Sequence, residues 1–104
     1  MILDIRGDIT AFSEPFLNEA YQTASGQGAD KILLKMDQQA YINSGGIAVL
    51  IQILARTRQK EQRIGITGIS EHFKKIFNMV GITKFAKIYT TVEVALETLT
   101  VEPQ

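Results

Sequence analysis

The spacing of apolar positions changes repeatedly along this chain, and each change predicts an element. Residues 1–5 alternate apolar and polar side chains and stop at Arg6-Gly7-Asp8, which predicts a short strand and a bend. Ser13-Glu14-Pro15 supplies a capping hydroxyl, a first-turn acid and an early proline. Phe16, Leu17, Ala20, Tyr21 and Ala24 follow at helical spacing to an end near Ser25-Gly26. After a turn at 27–30, residues 31–36 form a short apolar run between turn residues, the mark of a buried strand, and 37–40 connect onward. From Ile47 the period is helical, with Ile47, Leu50, Ile51 and Leu54 in one stripe and an end near Lys60. Residues 63–67 predict a second interior strand. Ser70-Glu71 opens a short helix that carries Phe73, Ile76 and Phe77 inward and closes at Gly81. Residues 85–89 predict the last strand. Thr90 or Thr91 caps a terminal helix, Thr90 and Glu93 standing at capping-box spacing, with Val92, Ala95, Leu96 and Leu99 on its buried side.

Strands and helices thus alternate, and each helical crossover returns the chain to the same end of the sheet. The expectation is a single small α/β domain with a mostly parallel or mixed four-stranded sheet and four helices. It spans residues 1–99, followed by a frayed tail at 100–104. No repeat, low-complexity tract or linker interrupts the pattern. No strand precedes residues 1–5 to form a hairpin with them, so that sheet edge is expected to be bare, and a bare edge invites pairing, a homodimer included.

Composition narrows the function classes. At 104 residues the chain has room for one core and one site. It has no cysteine, which excludes thiolate chemistry, disulfides and cysteine-ligated metals and fits a reducing compartment. Eleven basic against eleven acidic side chains give no bulk electrostatic attraction to nucleic acid or an anionic membrane. The start, Met1-Ile2-Leu3, is interrupted by Asp4 and Arg6 where a signal peptide needs an apolar core, and residues 45–51, the longest apolar run, are too short to span a bilayer. A cytoplasmic protein without membrane insertion is expected.

Candidate chemistry is sparse, and no catalytic residue, cofactor or metal site is expected. His72 is the one histidine and cannot furnish a multi-histidine zinc site. Ser44 lacks the nucleophile-elbow pattern, because Ile42 stands where the first glycine belongs. Gly26-Gln27-Gly28 follows a helix and not a first strand, so it reads as a helix exit; Gly65 and Gly68 read as backbone accommodation at a strand end. Residues 1–52 carry three basic and six acidic groups and residues 53–104 eight and five, so charge runs from −3 to +3 along the sequence. Arg56, Arg58, Lys60 and Arg63 concentrate it near a helix C-terminus, which suits either a docking face or a solvated helix end.

Asn43-Ser44-Gly45-Gly46 is the most unusual stretch. A capping side chain followed by two glycines, feeding an apolar helix, presents unpaired backbone N–H groups to solvent. Such a place either hosts negative charge, including a phosphorylated hydroxyl, or serves as a tight structural turn.

This stretch, Tyr41 through Leu50, resembles the strand, D-S-S-G segment and apolar helix of the STAS domain, the bacterial anti-sigma factor antagonist family. Ile5-Arg6-Gly7-Asp8-Ile9-Thr10 is similar to that family's G-x-L-D segment, and Phe77-Asn78-Met79-Val80-Gly81 to the end of its third helix. The resemblance implies a non-enzymatic switch in signal transduction and transcription regulation. Its protein partner would be an anti-sigma factor that is also a serine kinase, docked around Asn43, Ser44, Gly45, Gly46 and Ile47, on the exposed side of the second helix and on the loop at 7–13. The alternative is a scaffold subunit of a transport or signalling complex. In the family pattern the second serine is the phosphoacceptor, and here its match is Gly45, which has no hydroxyl; Ser44 matches the first serine and Asn43 the aspartate. Either Ser44 is the acceptor or the domain binds without phosphoregulation, and the second reading is the expectation. The family also begins with an extra strand that has no match here, so the sheet is expected to be a strand short or to share that edge in a dimer.

Overall fold

The computed structural model describes residues 1–101. Strands β1 (Ile2–Asp4), β2 (Lys31–Lys35), β3 (Arg63–Thr67) and β4 (Lys87–Tyr89) alternate with helices α1 (Glu14–Gly26), α2 (Ser44–Gln59), α3 (Glu71–Met79) and α4 (Val92–Val101). Short 3-10 turns stand at Ala11–Ser13 and Ile82–Lys84. The strands lie in sequence order, β1-β2-β3-β4, and every neighbouring pair is parallel. The expected four-stranded α/β domain is therefore present in its fully parallel form.

Register assigns the side chains to two faces. Leu3, Leu34, Ile66 and Ile88 stand side by side and, with Ile32 and Ile64, meet Leu17, Tyr21, Leu50, Leu54, Phe73 and Phe77 from α1, α2 and α3. Each such side chain, when fully buried, contributes about 1.5–3 kcal/mol. On the opposite face Leu33 and Tyr89 pack with Ala95 and Leu99 of α4. Tyr21 is buried together with its polar end: its hydroxyl donates to Gln62 Oε1 at 2.7 Å, and Gln62 Nε2 donates to the Ala29 carbonyl at 2.9 Å. That chain of bonds fastens α1 to the connection between α2 and β3.

Local chemistry sets the element ends. Ser70 caps α3 by accepting from Phe73 N at 3.3 Å, and of the two threonines before α4 it is Thr91 that caps, accepting from Val94 N at 3.1 Å. Ser13 does not cap α1 with its side chain. Its hydroxyl accepts instead from Thr10 N at 3.0 Å while Thr10 Oγ1 accepts from Phe12 N at 3.1 Å, a reciprocal arrangement that starts the 3-10 turn ahead of α1. β4 begins at Lys87, later than the apolar run suggests, because Phe85 N and Ala86 N both donate to the Ile82 carbonyl and are held in the preceding turn. At the C-terminus α4 continues to Val101, and the remainder of the expected tail lies outside the described residues.

Gly65 sits mid-strand because Tyr89 lies over it. A Cβ there would be 2.6 Å from Tyr89 Cε2 and 3.1 Å from Cδ2, so the ring needs the space a side chain would take. Gly65→Ala is expected to displace the ring and to cost about 1–3 kcal/mol. A urea melt checks this through a lower midpoint at unchanged slope; an unchanged midpoint would show that the ring moves without loss.

Candidate functional site

The chain enters α2 through an extended segment that pairs outside the main sheet. Ile42 forms a parallel bridge with Ile9: Ile9 N donates to the Tyr41 carbonyl at 2.9 Å and Asn43 N to the Ile9 carbonyl at 3.2 Å. Asp8 Oδ1 accepts from Tyr41 N at 2.8 Å. These bonds stitch the loop at 7–13 to the residues just before α2, and Ile9 is almost fully buried beneath the junction.

Asn43 is the N-cap, with extended backbone, and its Oδ1 accepts from Gly46 N at 2.9 Å while its carbonyl accepts from Ile47 N at 2.9 Å. The helix consequently starts at Ser44, and Gly45 and Gly46 lie in its first turn instead of in a turn ahead of it. Close approach is the reason. A Cβ on Gly46 would overlap the Ile9 carbonyl, and one on Gly45 would be 3.0 Å from Ala11 Cβ and 3.1 Å from Ala11 N. Glycine is a poor helix former, but here it lets the loop backbone lie directly on the helix start.

Of the five residues expected to form the binding turn, Ser44 is exposed, Asn43, Gly45 and Ile47 are half-buried, and Gly46 is buried. The loop at 7–13 and the outer side of α2 do come together with them, through the 3-10 turn packed on α2. The structure adds two large side chains that sequence reasoning did not single out: Phe12, 89% exposed, and Tyr41, 62% exposed. Tyr41 leans edge-on against Phe73 with centroids 6.0 Å apart. Ser44, Ala48 and Gln52 follow at one-turn spacing as an exposed line along α2. No charged residue occurs between Asp37 and Arg56, so this face is neutral, and that gap in charge was the signal available in the sequence.

The other candidates fall elsewhere. His72 is an exposed residue of α3, its ring edge-on to Phe73 at 5.1 Å. The basic stretch at the end of α2 is engaged with the body of the protein: Arg56 Nη1 donates to Asn18 Oδ1 at 2.5 Å, Arg58 lies over the Phe85 ring, and Lys60 Nζ donates to Ser25 Oγ at 3.0 Å. Gly26-Gln27-Gly28 is the exit of α1. No helix among the described residues is long and apolar enough to cross a membrane.

The parallel sheet, three helices on one face and a loop-braced start to α2 define a small α/β fold, and comparison with known proteins gives its family. The family model of the STAS domain matches residues 1–95, and the chain belongs to that family. The anti-sigma-B factor antagonist of Listeria monocytogenes serovar 1/2a is 26% identical over 89 residues, covering 81% of this chain and 74% of that protein. That of Staphylococcus aureus (strain NCTC 8325 / PS 47) is 20% identical over 90 residues, covering 86% and 83%. The NMR structure of the protein TM1081 has the same fold, with a TM-score of 0.82 at 19% identity over 97% of this chain and 82% of that one.

The geometry ranks two substitutions. Asn43→Ala removes one capping bond and is expected to cost about 1 kcal/mol. Gly46→Ala forces the Ile9 backbone off the helix and is expected to cost about 3 kcal/mol. Chemical denaturation of both variants checks the order, and a reversed order would mean that the loop is not seated on α2.

Proposed function

We propose that this chain is a non-catalytic regulatory domain that works by binding a protein, an anti-sigma factor of the serine-kinase type, in the cytoplasm. The docking surface is made by residues 43–47, the exposed and uncharged line of α2, and the loop at 7–13, which brings one acid, Asp8. The observation that carries the reading is the combination of exposed Phe12 and Tyr41 with an uncharged helix side between Asp37 and Arg56. Aromatic anchors amid small uncharged neighbours are what a protein interface uses at its centre. The relatives named anti-sigma-B factor antagonists support the class of partner.

Docking does not depend on phosphorylation in this reading. The position that matches the family's acceptor is Gly45, whose missing side chain would point at Ala11. Ser44 presents the one hydroxyl of the turn, but a step of one residue moves it about 100° around the helix. A kinase built for the position at 45 therefore meets no hydroxyl there. The rival role, a scaffold subunit of a larger complex, would use the same fold without such a kinase.

Ser44→Asp tests both points. Aspartate at the first position of α2 suits the helix dipole, so the thermal melt should stay within about 0.5 kcal/mol of the parent. Binding to the anti-sigma partner, measured by calorimetry, should weaken by about 1–3 kcal/mol, because a charge must then be desolvated on a neutral face. Unchanged affinity with a normal melt would move the docking surface elsewhere. The companion variant Gly45→Ser restores the acceptor hydroxyl, with Ala11 giving way slightly. It should become a substrate of the partner kinase, while mass spectrometry finds no stoichiometric phosphate on the parent; stoichiometric modification of parental Ser44 would overturn the phosphorylation-independent reading.

A further inference from the structure

Among the described residues nothing pairs with the outer edge of β1. On its inner side Leu33 N donates to the Met1 carbonyl and Ile5 N donates to the Lys35 carbonyl, both at 2.8 Å. Strand alternation then turns the N–H and C=O groups of Ile2, Asp4 and Arg6 outward. Beside this edge lie two adjoining grooves that share Ile5, Arg6 and Phe16, one reaching Leu3, Asp4 and Ala20 and the other Asp8 and Phe12. Phe12 and Phe16 are 89% and 76% exposed, a concentration of aromatic surface that marks an interaction site.

We propose that this edge pairs with a second copy of the same chain, antiparallel, about a two-fold axis at Ile5. Charge selects both the occupant and the register. Asp4 and Arg6 project from one face of the strand and form an ion pair within the chain at 3.2 Å, with Ile5 between them. Antiparallel pairing centred on Ile5 sets Asp4 against Arg6 of the other copy and Arg6 against its Asp4. Both are positions whose backbone groups face outward, so four backbone hydrogen bonds form beneath four charges of alternating sign. Centring on Asp4 would oppose two aspartates, and centring on Leu3 would set Asp4 against Ile2. On the groove side the Ile5 register brings Ile5 against Ile5 and the exposed phenylalanines of both copies toward the axis. An edge charge normally discourages pairing; an acid and a base two residues apart discourage an uncharged strand but complement their own image. The contact is isologous, so it closes as a dimer.

The test is sedimentation of the full chain across a concentration series, with charge reversals at the edge. Asp4 and Arg6 side chains are 43% and 85% exposed, so the variants leave the core alone, and a thermal melt confirms it. The parent should dimerise in the micromolar range expected of a small interface. Asp4→Arg and Arg6→Asp should each raise the dissociation constant by about tenfold or more, because each opposes like charges. The double reversal should restore it, and an equal mixture of the two single variants should form a heterodimer. Hydrogen exchange should show the Asp4 and Arg6 amides protected only at dimer-forming concentrations. A parent that stays monomeric at hundreds of micromolar overturns the proposal, and so does a dimer that ignores the reversals or leaves those two amides unprotected.

Discussion

The approach of the Ile9 backbone to Gly46 is the contact on which the junction of the loop at 7–13 with α2 depends. The loop at 7–13 is braced by few other interactions: two backbone bonds at Ile9, the Asp8 carboxylate on Tyr41 N, and the reciprocal pair of Thr10 and Ser13. With hydrogen at the α-carbon of Gly46, the Ile9 carbonyl can rest on the first turn of α2 and still accept from Asn43 N. Loop and helix start then behave as one body. The Asn43 cap, the outward position of Ser44 and the presentation of Phe12 follow from that seating, so a change far smaller than unfolding would alter the whole face.

Topology determines which surfaces remain. A sheet in sequence order with every strand parallel puts its three connecting helices on one face and leaves the other to α4, which packs over β2, β3 and β4. The second cluster is accordingly small, four buried residues with Val92 against them, and depends on Gly65 to admit the Tyr89 ring. β1 lies at the far side of this arrangement. Its Ile2 is 43% exposed, and its Asp4 ion-pairs with Arg6 in solvent, which a strand buried on both faces would not tolerate.

How much of this was legible in the sequence depends on how local the cause is. β3 is found at the residues its apolar run marks, α1 ends where Ser25-Gly26 indicated, and Ser70 caps as its spacing suggested, because burial and capping are written into neighbouring residues. The 3-10 turn at 11–13 was not visible: its capping box uses Ser13 where the usual pattern has Glu or Gln, and the same serine precedes an acid and a proline that advertise a helix start. Gly45 and Gly46 looked like a turn because propensity alone places glycine outside a helix, and the opposing fact, Ile9 lying 37 positions earlier in the chain from Gly46, is tertiary. The turn at 43–47 is found where the sequence placed it, at the entry to α2, while the exposed aromatic side chains beside it were not legible, since exposure of Phe12 and Tyr41 goes with the bridge between Ile9 and Ile42 and not with their own neighbours.

Phe12 belongs to both exposed surfaces. It stands in the 3-10 turn that packs on α2, next to the neutral helix face, and it lines the groove beside β1 together with Ile5 and Phe16. The turn is three residues long and is held at its start by Thr10 and at its end by Ser13, so the backbone that carries Phe12 is fixed while its ring stays exposed. An occupant that buries this ring from one surface therefore changes the cost of burying it from the other. If both occupants bury the same ring they compete, and each weakens the other by an equal factor; if the first fixes the ring in the position the second needs, they cooperate by an equal factor. The loop at 7–13, short, glycine-started and seated on Gly46, is the element that the two surfaces share.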